Sequence, residues 1–232
     1  MFPRTEDPEI SRRLQLAEVL VFLFLILPSL SYSFLAARPG TPGFELTAIA
    51  TILRDLALVS LIVYFARRNR EPMTRLGWNW NDLPREVAIG ALLFLPMFYG
   101  AAAIESGLTH LGFSTPKKIL PALVPAKTST DIALALLLVI VVAFAEETIF
   151  RGYLIVRLTS GTGSLLAAVV LSSVIFSFGH GYEGSAGVAT VGFMGLVFAL
   201  VYVWRQSLVA PMVMHFLQDF VVIVLGTLFR SK

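Results

Sequence analysis

The chain has 232 residues, of which 56% are hydrophobic and only 14% charged, with a net charge of +3 and a mean hydropathy of +0.79. Soluble domains carry about 25% charged residues, so the sequence reads as a single polytopic membrane domain over 1–232 with no room for a separate soluble one. The absence of cysteine excludes disulfides, thiolate metal sites and a cysteine nucleophile. The small basic balance does not call for nucleic acid, because arginines flanking apolar spans serve membrane topology.

About 20 apolar residues at a rise of about 1.5 Å cross a hydrocarbon core. Seven segments approach that length: 16–37, 46–66, 87–108, 132–157, 164–181, 186–204 and 207–229. The expected fold is therefore all-α, a transmembrane helical bundle of about seven spans, with eight helices as the alternative because hydropathy does not separate crossing from re-entrant segments. The first run follows Arg4, Arg12 and Arg13 and is longer than a signal-peptide core, so it reads as an uncleaved anchor.

Arg54 and Asp55 are neighbours inside the second span. Helical geometry points them about 100° apart, so they read as bonded to neighbouring helices. The next connection carries Arg67, Arg68, Arg70, Arg75 and Arg85, which places it, with the N-terminus, in the cytoplasm. Arg157 and Arg205 fall on that same side, whereas Lys117, Lys118, Lys127, Arg230 and Lys232 fall on the other and run against the bias. The expected location is a bacterial inner (cell) membrane. Trp78 and Trp80 in Leu76-Gly77-Trp78-Asn79-Trp80 read as an aromatic belt at the headgroups. The stretch 110–131 holds Pro116, Pro121 and Pro125 and reads as an irregular outer loop, with His110 solvated.

The fourth span contains Ala145-Glu146-Glu147-Thr148-Ile149-Phe150-Arg151. A charge at membrane depth costs about 2.5–3.5 kcal/mol on insertion scales, so such a cluster is a functional-site hypothesis by default. Glu147 and Arg151 stand at i and i+4 and can meet, while Glu146 points elsewhere and is left free. One reading is a structural ion-pair network. The other is acid–base chemistry by the remaining carboxylate.

In the fifth span, Phe176 and His180 share a face at i and i+4. In the seventh, His215 and Asp219 have the same spacing and could form a proton relay, a metal site or an electrostatic pair. Counted from the inner span ends, Glu146 lies about 16 Å deep, His215 about 13 Å, Asp219 about 19 Å and His180 about 25 Å. No His-Glu-x-x-His zinc helix and no Gly-x-Ser-x-Gly elbow occurs. The glycines from Gly179 to Gly195 read as packing positions.

Glu146-Glu147-x-x-x-Arg151, Phe176-x-x-x-His180 and His215-x-x-x-Asp219, in separate apolar spans with 34 residues from Glu146 to His180, resemble the CAAX-protease and bacteriocin-processing (Abi) family of intramembrane endopeptidases. The stretch of about 130–225 carries the resemblance. It implies a peptidase of glutamic type acting on a peptide or protein, with a site opening toward the cytoplasm. It implies that Glu146 with His180 activates water, that His215 and the fourth position stabilise the oxyanion, and that Glu147, Arg151 and Phe176 support the site. The fourth position is Asp219, where eukaryotic CAAX-processing members carry Asn. An ionised aspartate cannot donate to an oxyanion, so the residue either acts protonated or orients His215. No cofactor is expected. Zinc held by Glu146, His180 and His215 is the alternative. Two other functions use the same residues: a catalytically silent immunity or scaffold protein, and a proton-coupled transporter. Transporters often show two similar halves, whereas the motifs here occupy the second half only.

Overall fold

The computed structural model describes residues 12–35, 43–116 and 124–229. Among them there is no strand. Arg4, Arg38, Lys117, Lys118, Pro121, Arg230 and Lys232, and the last two residues of the first expected span, lie outside the described residues.

Each of the seven apolar segments corresponds to a helix: α1 (Arg12–Ser33), α2 (Phe44–Arg68), α3 (Leu83–His110), α4 (Ser129–Thr162), α5 (Leu165–Phe178), α6 (Gly184–Arg205) and α7 (Val209–Phe229). Six are long and apolar enough to cross a membrane, and α5, at 14 residues, is a shorter apolar helix. Helix α5 starts where Ser164 accepts the Ala167 N–H. It stops at Gly179, and the chain turns through Gly184 at φ +74° into α6. Helix α4 runs 34 residues, about 50 Å. It begins at Thr128, whose hydroxyl accepts the Asp131 N–H, and ends at Gly163 in the left-handed conformation.

Helix α4 packs against α1, α2, α5, α6 and α7, and α3 packs on α6 and α7. Phe44, Ala48 and Ile52 of α2 meet Ala135, Leu138 and Val139 of α4. Phe94 and Met97 of α3 meet Phe198 of α6 and Met214 of α7. Ala168 and Val169 of α5 pack with Ile155 of α4 and Tyr202 of α6. Phe22 and Ile26 of α1 join Ile62 and Phe65 of α2 around Tyr153 of α4. Outward faces remain apolar, as at Phe24, Leu92 and Leu166, which suits hydrocarbon rather than water.

One end of the bundle gathers the arginines. Arg157, wholly buried, donates to both carboxylate oxygens of Glu71 and lies 3.4 Å from Glu18. Arg68 reaches Glu18 at 3.0 Å, Arg75 reaches Glu71 at 2.7 Å and Arg205 reaches Glu86 at 2.6 Å. The start of α1, the end of α2, the start of α3 and the ends of α4 and α6 therefore share one face, in the alternation expected from the charge pattern.

Two expectations need correction here. Trp78 does not join a headgroup belt: it packs on Phe144 at 5.3 Å and its indole N–H donates to Thr148 Oγ1 at 3.2 Å, while Trp80 stays exposed. The cause is the turn before it. Met73–Leu76 forms a 3₁₀ turn ended by Gly77 at φ +84°, and it presses on Gly152 so closely that a Cβ there would stand 2.6 Å from the Leu76 carbonyl oxygen. Secondly, His110 is the last residue of α3, exposed, with Nδ1 2.7 Å from the Ser106 carbonyl oxygen, so it belongs to the helix end rather than to the loop.

Candidate active site

Helix α4 is regular through Glu146, and from Glu147 to Leu154 it widens into a π-helical segment whose residues are all buried. Wide turns of this kind recur at functional sites. A second one, Phe220–Leu225, follows directly after Asp219 in α7. The widened turn keeps Glu147 and Arg151 together: Nη1 of Arg151 donates to Glu147 Oε1 at 2.7 Å, with side chains 1% and 0% exposed. The guanidinium lies 4.3 Å from the Phe176 ring centroid and 5.1 Å from that of Phe198. Its Nη2 donates to the Gly195 carbonyl at 3.3 Å. A Cβ at Gly195 would sit 3.0 Å from the Phe176 ring, so glycine there makes room for that ring and the cation beside it.

The same Glu147 oxygen lies 2.8 Å from Nδ1 of His215. An arginine-paired carboxylate accepts, so Nδ1 carries the hydrogen and Nε2 points onward. Nε2 stands 3.5 Å from Asp219 Oδ2 and 3.9 Å from Glu146 Oε2. The ring is stacked on Phe198 at 5.4 Å and meets Phe176 edge-on at 5.9 Å. Arg151, Glu147 and His215 thus form a chain from α4 to α7 whose aromatic walls leave the imidazole little freedom.

Glu146 is built differently. Its Oε2 is buried without a hydrogen-bond partner among the described residues. Its Oε1 lies 4.0 Å from Arg54 of α2. His180, just past α5, lies tilted against Phe176 at 5.1 Å and places Nδ1 3.3 Å from the Phe176 carbonyl oxygen. A carbonyl only accepts, so Nδ1 donates and Nε2 is left for the interior. Glu146, His180, His215 and Asp219 all line one cavity of about 710 Å³. His180 reaches it despite its greater counted depth, because α5 is short and ends at that level. Glu147 and Arg151 stand behind its wall. Among the described residues no three His, Asp or Glu side chains meet in a metal-holding group. Glu146 and His215 approach one another, and His180 does not complete a trio with them.

Arg54 and Asp55 also line the cavity, and Arg54 makes the expected link to a neighbouring helix through Glu146 of α4 at 4.0 Å. The guanidinium folds back on Asp55, with Nε at 2.9 Å and Nη2 at 2.7 Å from Oδ1. A long flexible side chain overrides the 100° offset of its Cα position. The signal for their place in the site was available: an ion pair inside an apolar span.

Fold and site together define a polytopic helical membrane protein with carboxylates and imidazoles gathered on a cavity in its bundle. Residues 128–221 match the family model described as Type II CAAX prenyl endopeptidase Rce1-like, so the motif-bearing part of this chain is similar to that family. That stretch takes in Glu146, Glu147, Arg151, Phe176, His180, His215 and Asp219 and leaves α1 to α3 outside. The family indicates a peptidase working on a peptide or protein in a membrane setting. No curated protein and no solved structure matches the chain.

Proposed function

We propose that this chain is an intramembrane endopeptidase that hydrolyses a peptide bond with water activated by Glu146. The observation that carries the reading is the unpartnered Glu146 Oε2, 3.9 Å from His215 Nε2 on the wall of the cavity. That spacing is too wide for a direct hydrogen bond, and a water touching both groups would lose a proton to the carboxylate. The water oxygen then attacks the scissile carbonyl carbon. The developing oxyanion is met by the Nε2 hydrogen of His215 in its imidazolium form, which Glu147 at Nδ1 and Asp219 beside Nε2 both favour. As the C–N bond breaks, the proton taken by Glu146 passes to the departing amine. His180 shares the positioning of water. Asp219, 3.5 Å from Nε2, orients His215 from the side opposite Glu147. No cofactor enters this scheme. The substrate is a peptide or protein segment. The arginine-bearing end, and with it the N-terminus, faces the cytoplasm of a bacterial inner membrane.

The test is hydrolysis of a fluorogenic peptide library by the purified protein in lipid nanodiscs. Wild type is expected to turn over. Glu146→Gln, nearly isosteric, is expected to lose about 10²–10⁴-fold, the contribution typical of a positioned acid–base group. A strong chelator in the same assay tests the zinc alternative. Unchanged turnover in Glu146→Gln refutes the mechanism, and no turnover of any peptide favours a silent scaffold.

A further inference from the structure

The cavity is not centred along the bundle. The described residues that line it come from the halves of the helices remote from the arginines: Leu30 late in α1, Thr47 early in α2, Glu105 late in α3, and Pro116 just beyond α3. Glu105 and Pro116 are exposed, so among the described residues the cavity wall extends to the surface at that end. The opposite ends of the same helices hold Glu18, Arg68 and Glu86, tied to Arg157 and Arg205.

Between the cavity and those ion pairs the bundle is solid. Tyr153 is wholly buried, with Phe22 5.2 Å and Phe65 6.4 Å away, centroid to centroid. Leu76 and Tyr202 fill the space on the other side of the Gly152 contact, both essentially inaccessible. The Arg151–Glu147 pair is buried in the same layer. Among the described residues, the arginine end presents close-packed side chains, and the cavity wall is exposed at the other end.

Arginines near span ends are retained in the cytoplasm. Seven of the described ones, Arg67, Arg68, Arg70, Arg75, Arg85, Arg157 and Arg205, sit at the closed end or in its connection. We infer that the site is reached from the extracytoplasmic side, so that the peptides it cleaves are segments exposed on the outer face of the membrane, secreted or anchored there. This is opposite to the face that the family resemblance implies. It rests on the endopeptidase reading for the word cleaves. The direction of access rests only on the cavity and the charges.

The chain has no cysteine, so single-cysteine variants report without a background. Thr115→Cys marks the mouth, Thr51→Cys the cavity wall and Thr74→Cys the arginine end; Thr74 and Thr115 are exposed. Each variant is expressed at full length and treated with a sulfonated, membrane-impermeant maleimide, in right-side-out and in inverted membrane vesicles. The expected result is labelling of Thr115→Cys and Thr51→Cys in right-side-out vesicles, with loss of that labelling after inversion, and the reverse pattern for Thr74→Cys. Labelling of Thr51→Cys only in inverted vesicles, or of Thr115→Cys and Thr74→Cys from one side, overturns the inference. A membrane-impermeant fluorogenic peptide, chosen from those cut in nanodiscs, is then added to wild-type vesicles of each orientation. Hydrolysis in right-side-out vesicles without detergent supports the inference. Hydrolysis only in inverted vesicles refutes it and leaves the endopeptidase standing. The expected labelling with no peptide cut in nanodiscs supports outer access and removes the endopeptidase.

Discussion

Replacing Arg151 by methionine isolates the most consequential pair in the bundle. Glu147 is fully buried and gives one oxygen to both Arg151 and His215. Without the guanidinium, its charge faces a single imidazole, and the cation contacts to Phe176 and Phe198 and the bond to Gly195 vanish. Breaking a buried ion pair from one side costs about 3–5 kcal/mol, because the survivor is left uncompensated. For a chain of this size each kcal/mol moves the unfolding midpoint by about 2–4 °C, so Arg151→Met should lower the midpoint by about 6–20 °C. Thermal unfolding in detergent micelles, followed by intrinsic tryptophan fluorescence, measures it. The double variant Glu147→Gln, Arg151→Met removes both charges, and it should regain a large part of the loss. Wild-type unfolding of Arg151→Met, or losses in the double variant that simply add, would refute the reasoning that these charges stabilise mainly by neutralising each other.

Three further outcomes are expected. Gly152→Ala forces a Cβ to within 2.6 Å of the Leu76 backbone oxygen, so the 73–76 turn must shift. The expected loss is about 1–3 kcal/mol, read as a lower midpoint in the same unfolding assay. Glu71→Gln deprives the buried Arg157 of a charge it contacts through both oxygens, for a loss of about 3–5 kcal/mol, and earlier proteolysis at the 69–82 connection should accompany it. Glu147→Gln should reduce kcat of peptide hydrolysis with little change in KM, since Glu147 orients His215 without lining the cavity; an effect on KM alone would argue against a positioning role.

The helical bundle was legible because apolar runs and arginine placement are properties of local sequence. Span ends were less so. Hydropathy stops α4 near Arg157, yet the helix continues to Thr162, since Glu18 and Glu71 from distant segments neutralise that arginine. The Glu147–Arg151 pair and the freedom of Glu146 followed from i,i+4 spacing. The bond from His215 to Glu147 did not, because spacing rules link residues within one helix and that contact joins α4 to α7. The π-helical turns were likewise silent, as were Arg54 and Asp55, whose side chains meet through guanidinium flexibility rather than Cα direction.

The Tyr153 layer, with Phe22 and Phe65 on it, has a consequence for turnover. Among the described residues, the chamber is closed at its base. In a hydrolase of this shape the cut ends cannot leave through the base and must clear the chamber before the next molecule is bound. Shedding of the fragments is then a step, distinct from bond scission, that can set the steady-state pace.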